Sequence, residues 1–192
     1  MEIRVVGVDA AFRNFGIVAA TVNSETLAIN VMAMELFKTD GQAGKTVRKN
    51  SDDIRRARII LKGFHEYANV AAVAIAEVPT GTQSARASWT LGITVGILAA
   101  CPVPLIEVTP SEVKLASVGN KTASKSEMIK WAHDKHPEAS WLKRKLKGEY
   151  VLLNENEHLA DALASIYAGV QSQQFQAAAE MMRHFSGKVS HG

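Results

Sequence analysis

Four side chains stand where apolar segments of this chain stop or are interrupted: Asp9, Glu77, His158 and Asp161. Asp9 ends the run Val5-Val6-Gly7-Val8-Asp9, and Glu77 ends Ala74-Ile75-Ala76-Glu77. His158 and Asp161 lie in Glu157-His158-Leu159-Ala160-Asp161-Ala162-Leu163-Ala164. A spacing of three places His158 and Asp161 on one helix face, and Glu157, four before Asp161, could share it. A carboxylate in apolar surroundings is costly unless a cation or donor offsets its charge, and like charges held close need cations between them. Oxygen-rich clusters with few nitrogens suit Mg2+ or Mn2+. Two such ions about 3.5–4 Å apart can activate a water and stabilise the leaving oxygen of a phosphodiester. Each residue also has a plain reading: Asp9 as a turn aspartate, Glu77 as a solvated strand end, Asp161 as a lysine's partner, His158 as an ordinary core or surface histidine. The joint pattern of strand-end Asp, strand-end Glu and helical His-x-x-Asp favours the cation.

The elements that must position these residues can be read in order. Val5 to Val18, interrupted by a polar turn, predicts two antiparallel strands, with Asn14 and Gly16 as turn chemistry. Leu27 to Phe37 predicts a third strand, and residues 38–50 (KTDGQAGKTVRKN) a basic, polar loop. Ser51 is the expected cap of a helix whose core face is Ile54, Ala57, Leu61, Phe64 and Ala68. Ala71 to Ala76 reads as a strand buried on both faces. Leu91 to Ile106 reads as the end of a buried helix over residues 84–100, followed by a buried strand. Thr109 with Pro110, and Ser124, mark two further helix starts, the second helix stopping at Pro137. The next stretch, Trp141 to Tyr150 (WLKRKLKGEY), is strongly basic, and its Lys143, Arg144, Lys145 and Lys147 suit either a polyanion or a solvated face. A helix over roughly residues 156–172 carries His158 and Asp161. The order predicts an α/β fold with a mixed five-stranded sheet, an antiparallel meander followed by parallel strands, flanked by helices. Residues 1–172 form the expected domain, and 173–192 a C-terminal tail, a short helix with a frayed end.

Composition narrows the class. The 192 residues are 47% hydrophobic and 21% charged, ordinary values for one globular core. Cys101 is the sole cysteine, which excludes an intrachain disulfide and a cysteine-based zinc site. The longest apolar stretch contains Pro102 and Pro104 and is shorter than the ~20 residues of a spanning helix. No basic n-region precedes an apolar segment at the N-terminus. The expectation is a protein of the cytoplasm, bacterial or that of an infected host cell, with no membrane partner. A net charge of +3 is only mildly basic, so where the lysines lie matters more than their sum.

On these residues the chain resembles the RuvC family of Holliday-junction resolvases, within the RNase H-like nuclease superfamily. Gly7-Val8-Asp9 with Asn14-Phe15-Gly16 resembles the family's first motif, and Ala74-Ile75-Ala76-Glu77 its second. The segment from Pro110-Ser111-Glu112-Val113-Lys114 through Asn120-Lys121 to Ser124-Lys125-Ser126 resembles the family's proline-to-lysine segment, the most specific of the four. Glu157 to Ala164 resembles the last motif. The resemblance implies an RNase H-like fold and a metal-dependent endonuclease that nicks four-way junctions symmetrically, leaving 5′-phosphate and 3′-hydroxyl ends. It implies two Mg2+ ions per site, with Mn2+ plausible because His158 stands where many members have aspartate. The implied ligands are Asp9, Glu77, His158 and Asp161, with Glu157 the rival to His158. Lys125 is the expected catalytic lysine, and Lys114, Lys121, Lys125 and Arg13 are the expected DNA contacts. Two symmetric nicks imply a homodimer, and the Ala/Gly-rich helix 84–100 is the expected seam. One departure stands out: Val78, Pro79 and Thr80 follow Glu77 where the family often has an aromatic that stacks on unpaired bases. That departure supports a less selective nuclease on flaps, branched DNA or RNA–DNA hybrids as the rival. The histidine at 158 supports a non-catalytic junction binder. An actin-like phosphotransferase would need further glycine-rich phosphate loops, which the chain lacks.

Overall fold

The computed structural model describes residues 1–42, 48–78, 81 and 84–189. Three strands open the chain: β1 (Glu2–Ala10), β2 (Asn14–Asn23) and β3 (Ile29–Lys38). Then follow α1 (Lys49–Ala68), β4 (Val73–Glu77), α2 (Ala85–Ala99), β5 (Leu105–Val108), α3 (Pro110–Ser117) and α4 (Lys125–Lys135). The chain closes with β6 (Lys143–Leu146), β7 (Glu149–Leu152), α5 (Asn156–Gly169) and α6 (Gln173–Val189). The main sheet has the order β3-β2-β1-β4-β5, with β1, β2 and β3 antiparallel and β1, β4 and β5 parallel. This is the mixed sheet expected from the sequence.

The pleat sorts side chains onto two faces. Val5, Val18, Ala20, Val73 and Ile75 face a layer containing α3, α4, α5 and α6, while Val6, Val8, Ile17, Ala74 and Ala76 face α1 and α2. Ala74, Ile75 and Ala76 are wholly buried, as a central strand covered on both faces requires. By the same alternation Asp9 and Glu77 belong to the α5 face. Gly7 and Gly16 let α5 close on that face. A Cβ on Gly7 would lie 2.2 Å from the Ala162 carbonyl oxygen, and one on Gly16 would lie 2.4 Å from that of His158. The first-motif glycines thus set the distance between sheet and helix. Phe175 and Ala179 bring α6 into the same core.

Three local expectations are corrected. Helix α1 begins at Lys49 with Arg48 at its cap and no capping side chain, so Ser51 lies inside the helix. Asp52 and Asp53 pair with arginines of α1 and α2 (Arg55 and Arg86), and Ile54 is exposed, the buried face being Ile60, Phe64 and Ala68. Helix α2 is not buried all round: only Thr94, Ile97 and Leu98 are buried, while Trp89 and Val95 are exposed. The basic stretch after Trp141, for which the sequence predicts no element, folds into the β6–β7 hairpin. The Thr109 and Ser124 caps are both present as capping boxes, with Glu112 and Glu127 completing them. Much of the expected basic loop lies outside the described residues, and so do Pro79 and Thr80 after Glu77.

Candidate active site

The parallel pairing of β1 with β4 sets Asp9 directly opposite Glu77. Two carboxylates therefore leave neighbouring strand ends on one face. Helix α5 crosses that face and packs against β1, β2 and β4. It carries His158 and Asp161 over the pair. His158 Nδ1 lies 2.6 Å from Asp9 Oδ2, and its Nε2 lies 3.1 Å from Asn14 Nδ2. With the Asn14 amide nitrogen donating, Nε2 accepts and Nδ1–H donates to Asp9, so these contacts select the neutral Nδ1-protonated ring. Protonation of the ring requires the Asn14 amide to turn and offer its oxygen.

The charges in this cluster are poorly offset. Burial, then the Asp9 carboxylate, pushes the Glu77 carboxyl up to about 7, with Lys114 working against the rise. Burial, then Asp9 and Glu77, pushes Asp161 up to about 7, with His158 opposing. Burial weakens the basicity of His158, but its hydrogen bond to Asp9 and the charges of Asp9, Glu157 and Asp161 outweigh that and leave its pKa raised. Three carboxylates and one imidazole thus share a pocket with excess negative charge. That donor set suits a hard divalent cation. Among the described residues, however, no three His, Cys, Asp or Glu side chains converge closely enough to enclose an ion. For His158 to serve as a ligand, its ring must give up the Asp9 or the Asn14 contact.

The basic residues take up varied places. Lys114 on α3 is partly buried and acts electrostatically on Glu77. Lys125, at the first position of α4, reaches across to Glu157, with Nζ 2.7 Å from Oε2. That hydrogen bond and charge raise the lysine's pKa. Glu157 Oε1 also stands 3.4 Å from His158 Nε2. Lys121 is exposed in the turn before α4, and Arg13 is exposed in the β1–β2 turn and paired with Asp40 at 3.0 Å. The structure therefore groups Asp9, Glu77, His158 and Asp161 with Lys114 and Lys125, while Lys121 and Arg13 are exposed and make none of these contacts. Asn14 is a site residue that the sequence does not single out: it reads as turn chemistry, and its position five residues after Asp9 in the first motif is the available signal.

No family model matches the chain, and no curated protein matches it in sequence. Solved structures do. Thermus thermophilus RuvC is 20% identical, with 92% of this chain and 96% of that chain covered and a TM-score of 0.56. T. thermophilus RuvC in complex with Holliday junction substrate gives 19%, 86%, 92% and 0.59 for the same quantities. The Fowlpox virus resolvase in complex with substrate Holliday junction DNA gives 12%, 92%, 98% and 0.50. The likeness covers nearly the whole of each chain: this chain shares the fold of these solved structures, here a mixed β3-β2-β1-β4-β5 sheet with α5 packed on it.

Proposed function

We propose that this chain is a structure-selective DNA endonuclease that resolves four-way junctions by paired symmetric nicks with two divalent metals, Mg2+ or Mn2+. The observation that carries the reading is the meeting of Asp9 and Glu77 at adjacent strand ends beneath His158 and Asp161, on a fold shared with solved junction resolvases. Asp9, Glu77 and Asp161 would hold the cations, with His158 the softer fourth donor. Bound divalent ions supply Lewis-acid stabilisation of a phosphodiester and a lowered pKa for water. Around them the chain's own groups have separate tasks. Asn14 and Asp9 orient the imidazole. Lys114 offsets charge beside Glu77. Lys125, released from Glu157, presents a point charge to a non-bridging phosphate oxygen. Lys121 and Arg13 extend the positive rim toward the flanking backbone.

Paired nicks need two such sites, and α2 offers a surface for a second copy. Its exposed face runs through Trp89, Gly92, Val95, Gly96 and Ala99, and no charged residue occurs from Ala87 to Ile106. A less selective nuclease remains the second reading, favoured by the absence of an aromatic at Val78-Pro79-Thr80. Cleavage of a synthetic mobile junction beside a flap and a linear duplex separates the two, run with Mg2+, Mn2+ or a chelator. Two symmetric nicks confined to the junction and lost with the chelator support resolution, whereas comparable flap cutting selects the rival. Asp9→Asn should bind the junction with unchanged affinity and fail to cut it. Wild-type cutting by that variant would remove Asp9 from the metal site.

A further inference from the structure

The β6–β7 ribbon is used by none of the roles assigned so far. Its cross-strand pairs are Lys143↔Leu152, Arg144↔Val151, Lys145↔Tyr150 and Leu146↔Glu149. Lys147 and Gly148 both have positive φ, 50° and 94°, which closes the hairpin with a tight turn of the I′ kind. All four β6 residues and the first two of β7 are exposed, so the tip stands clear of the core on both faces. Directly opposed residues share a face of a ribbon. Lys143, Lys145 and Tyr150 therefore leave the same side, and Tyr150 is 74% exposed. Among the described residues none of Lys143, Arg144, Lys145 and Lys147 has a carboxylate within 4 Å, although the charge of Arg144 is felt at Glu155.

The ribbon's base is fixed to the active-site helix. The Asn156 side chain, wholly buried at the first position of α5, accepts from Leu142 N–H at 2.9 Å and donates to the carbonyls of Leu142 and Leu153 at 2.8 and 2.9 Å. Two residues later the same helix presents His158. Glu155, just before it, binds Lys38 at 3.1 Å, and Lys38 pairs in the sheet with Asn14. The ribbon thus rises from the rim on which the carboxylates sit, with little freedom at its root. Cations alternating with an exposed aromatic are what single-stranded nucleic acid binds: phosphate to the cations, base to the ring.

We propose that the β6–β7 ribbon is a second DNA-contacting element, in which Lys143, Lys145 and Lys147 neutralise phosphates of one arm of a branched DNA and Tyr150 stacks on a base left unpaired at the branch. The assignment rests on the endonuclease reading above, and it supplies an aromatic that the segment after Glu77 lacks. The test uses the full chain without divalent metal, binding a four-way junction and a linear duplex across a salt series. K143A/K145A/K147A should lower the slope of log K against log salt by about 2–3, near 0.9 for each lost phosphate contact. Tyr150→Ala should weaken junction binding by about 5- to 100-fold and leave duplex binding unchanged, while Tyr150→Phe keeps wild-type affinity. A 2-aminopurine at the branch should brighten when wild type or Tyr150→Phe binds, and respond less to Tyr150→Ala. Since these side chains are exposed, thermal melting of the variants should match wild type. If wild type itself fails to prefer the junction, the endonuclease reading falls. If wild type prefers it and the variants match wild type in affinity, slope and fluorescence, the ribbon proposal is overturned and the surface belongs to another partner.

Discussion

The decisive residue-scale feature is that His158 has both ring nitrogens engaged, Nδ1 by Asp9 and Nε2 by Asn14. The ring cannot rotate without breaking one bond, so Asn14 sets which nitrogen Asp9 sees and how firmly. Partners of that kind around a ligand or general base usually matter by about 10- to 100-fold. Asn14→Ala should therefore slow junction cleavage by about that factor and leave junction affinity in the absence of metal unchanged. Asn14→Asp, which can accept from a protonated ring, should shift the pH profile of cleavage upward, an effect that a merely structural asparagine would not produce. A wild-type rate and profile for both variants would return Asn14 to turn chemistry. This residue also shows the limit of reading a chain one segment at a time. Asp9, Glu77 and Asp161 were legible because each interrupts an apolar run. Asn14 opens β2 directly after a turn, where asparagine needs no explanation, and its partner lies 144 residues away.

At the scale of elements, the mixed character of the sheet was legible because the strands differ in kind: β3 is half-exposed, and β4 is apolar up to Glu77. Adjacency of β1 and β4, on which the carboxylate pair depends, was not legible: consecutive strands usually neighbour one another, and here α1 carries the chain from β3 past β2 to the far side of β1. The hairpin was not legible. Its turn is Lys147-Gly148, which lacks the Asn-Gly or Asp-Gly signal, and its strands are too polar to show an alternating core face. The packing of α4 against α5 was equally hidden, and it carries a pH dependence. His136, at the end of α4, is buried, with Nε2 2.9 Å from the Tyr167 hydroxyl of α5. Its Nδ1 lies 3.5 Å from Glu138. Burial lowers its pKa below the ordinary value near 6.5, against the pull of Glu138 and with a smaller push from Lys135. The neutral ring is thus favoured by folding. Its contribution is complete above the unfolded pKa and is lost as pH falls from about 6.5 toward the depressed folded value. His136→Gln removes that titration. Melting temperatures from pH 7.5 to 5.5 should fall more steeply for wild type than for the variant, and parallel curves would show that the imidazole titrates alike in the folded and unfolded states.

For the whole molecule the question is what α2 meets. Its N-terminus is fastened to α1 by Arg86, both of whose terminal nitrogens lie 2.6 Å from the Asp53 carboxylate, and the Trp89 indole N–H donates to the same group. That anchoring fixes the helix and leaves the uncharged face beyond it turned outward. An apolar helix face without charge is an aggregation hazard on a monomer and an asset in a symmetric pair. Among the described residues, Gly92 and Gly96 on this face have nothing within 4 Å of where a Cβ would stand, so none of those residues makes use of their smallness. A second helix crossing there would. Gly92→Arg is therefore a clean probe. Replacing glycine by arginine in a helix interior favours the helix by up to about 0.8 kcal/mol, so the fold should hold and its melting temperature should not drop. The same side chain places a long cation in the middle of the seam. Wild type should elute as twice 20.8 kDa by light scattering, and the variant as one copy. On a supercoiled plasmid extruding a cruciform, wild type should yield linear product from two nicks within one bound lifetime. The variant should accumulate nicked circles first, because nothing then ties the second cut to the first. A dimeric Gly92→Arg protein that still linearises the plasmid directly would move the seam away from α2.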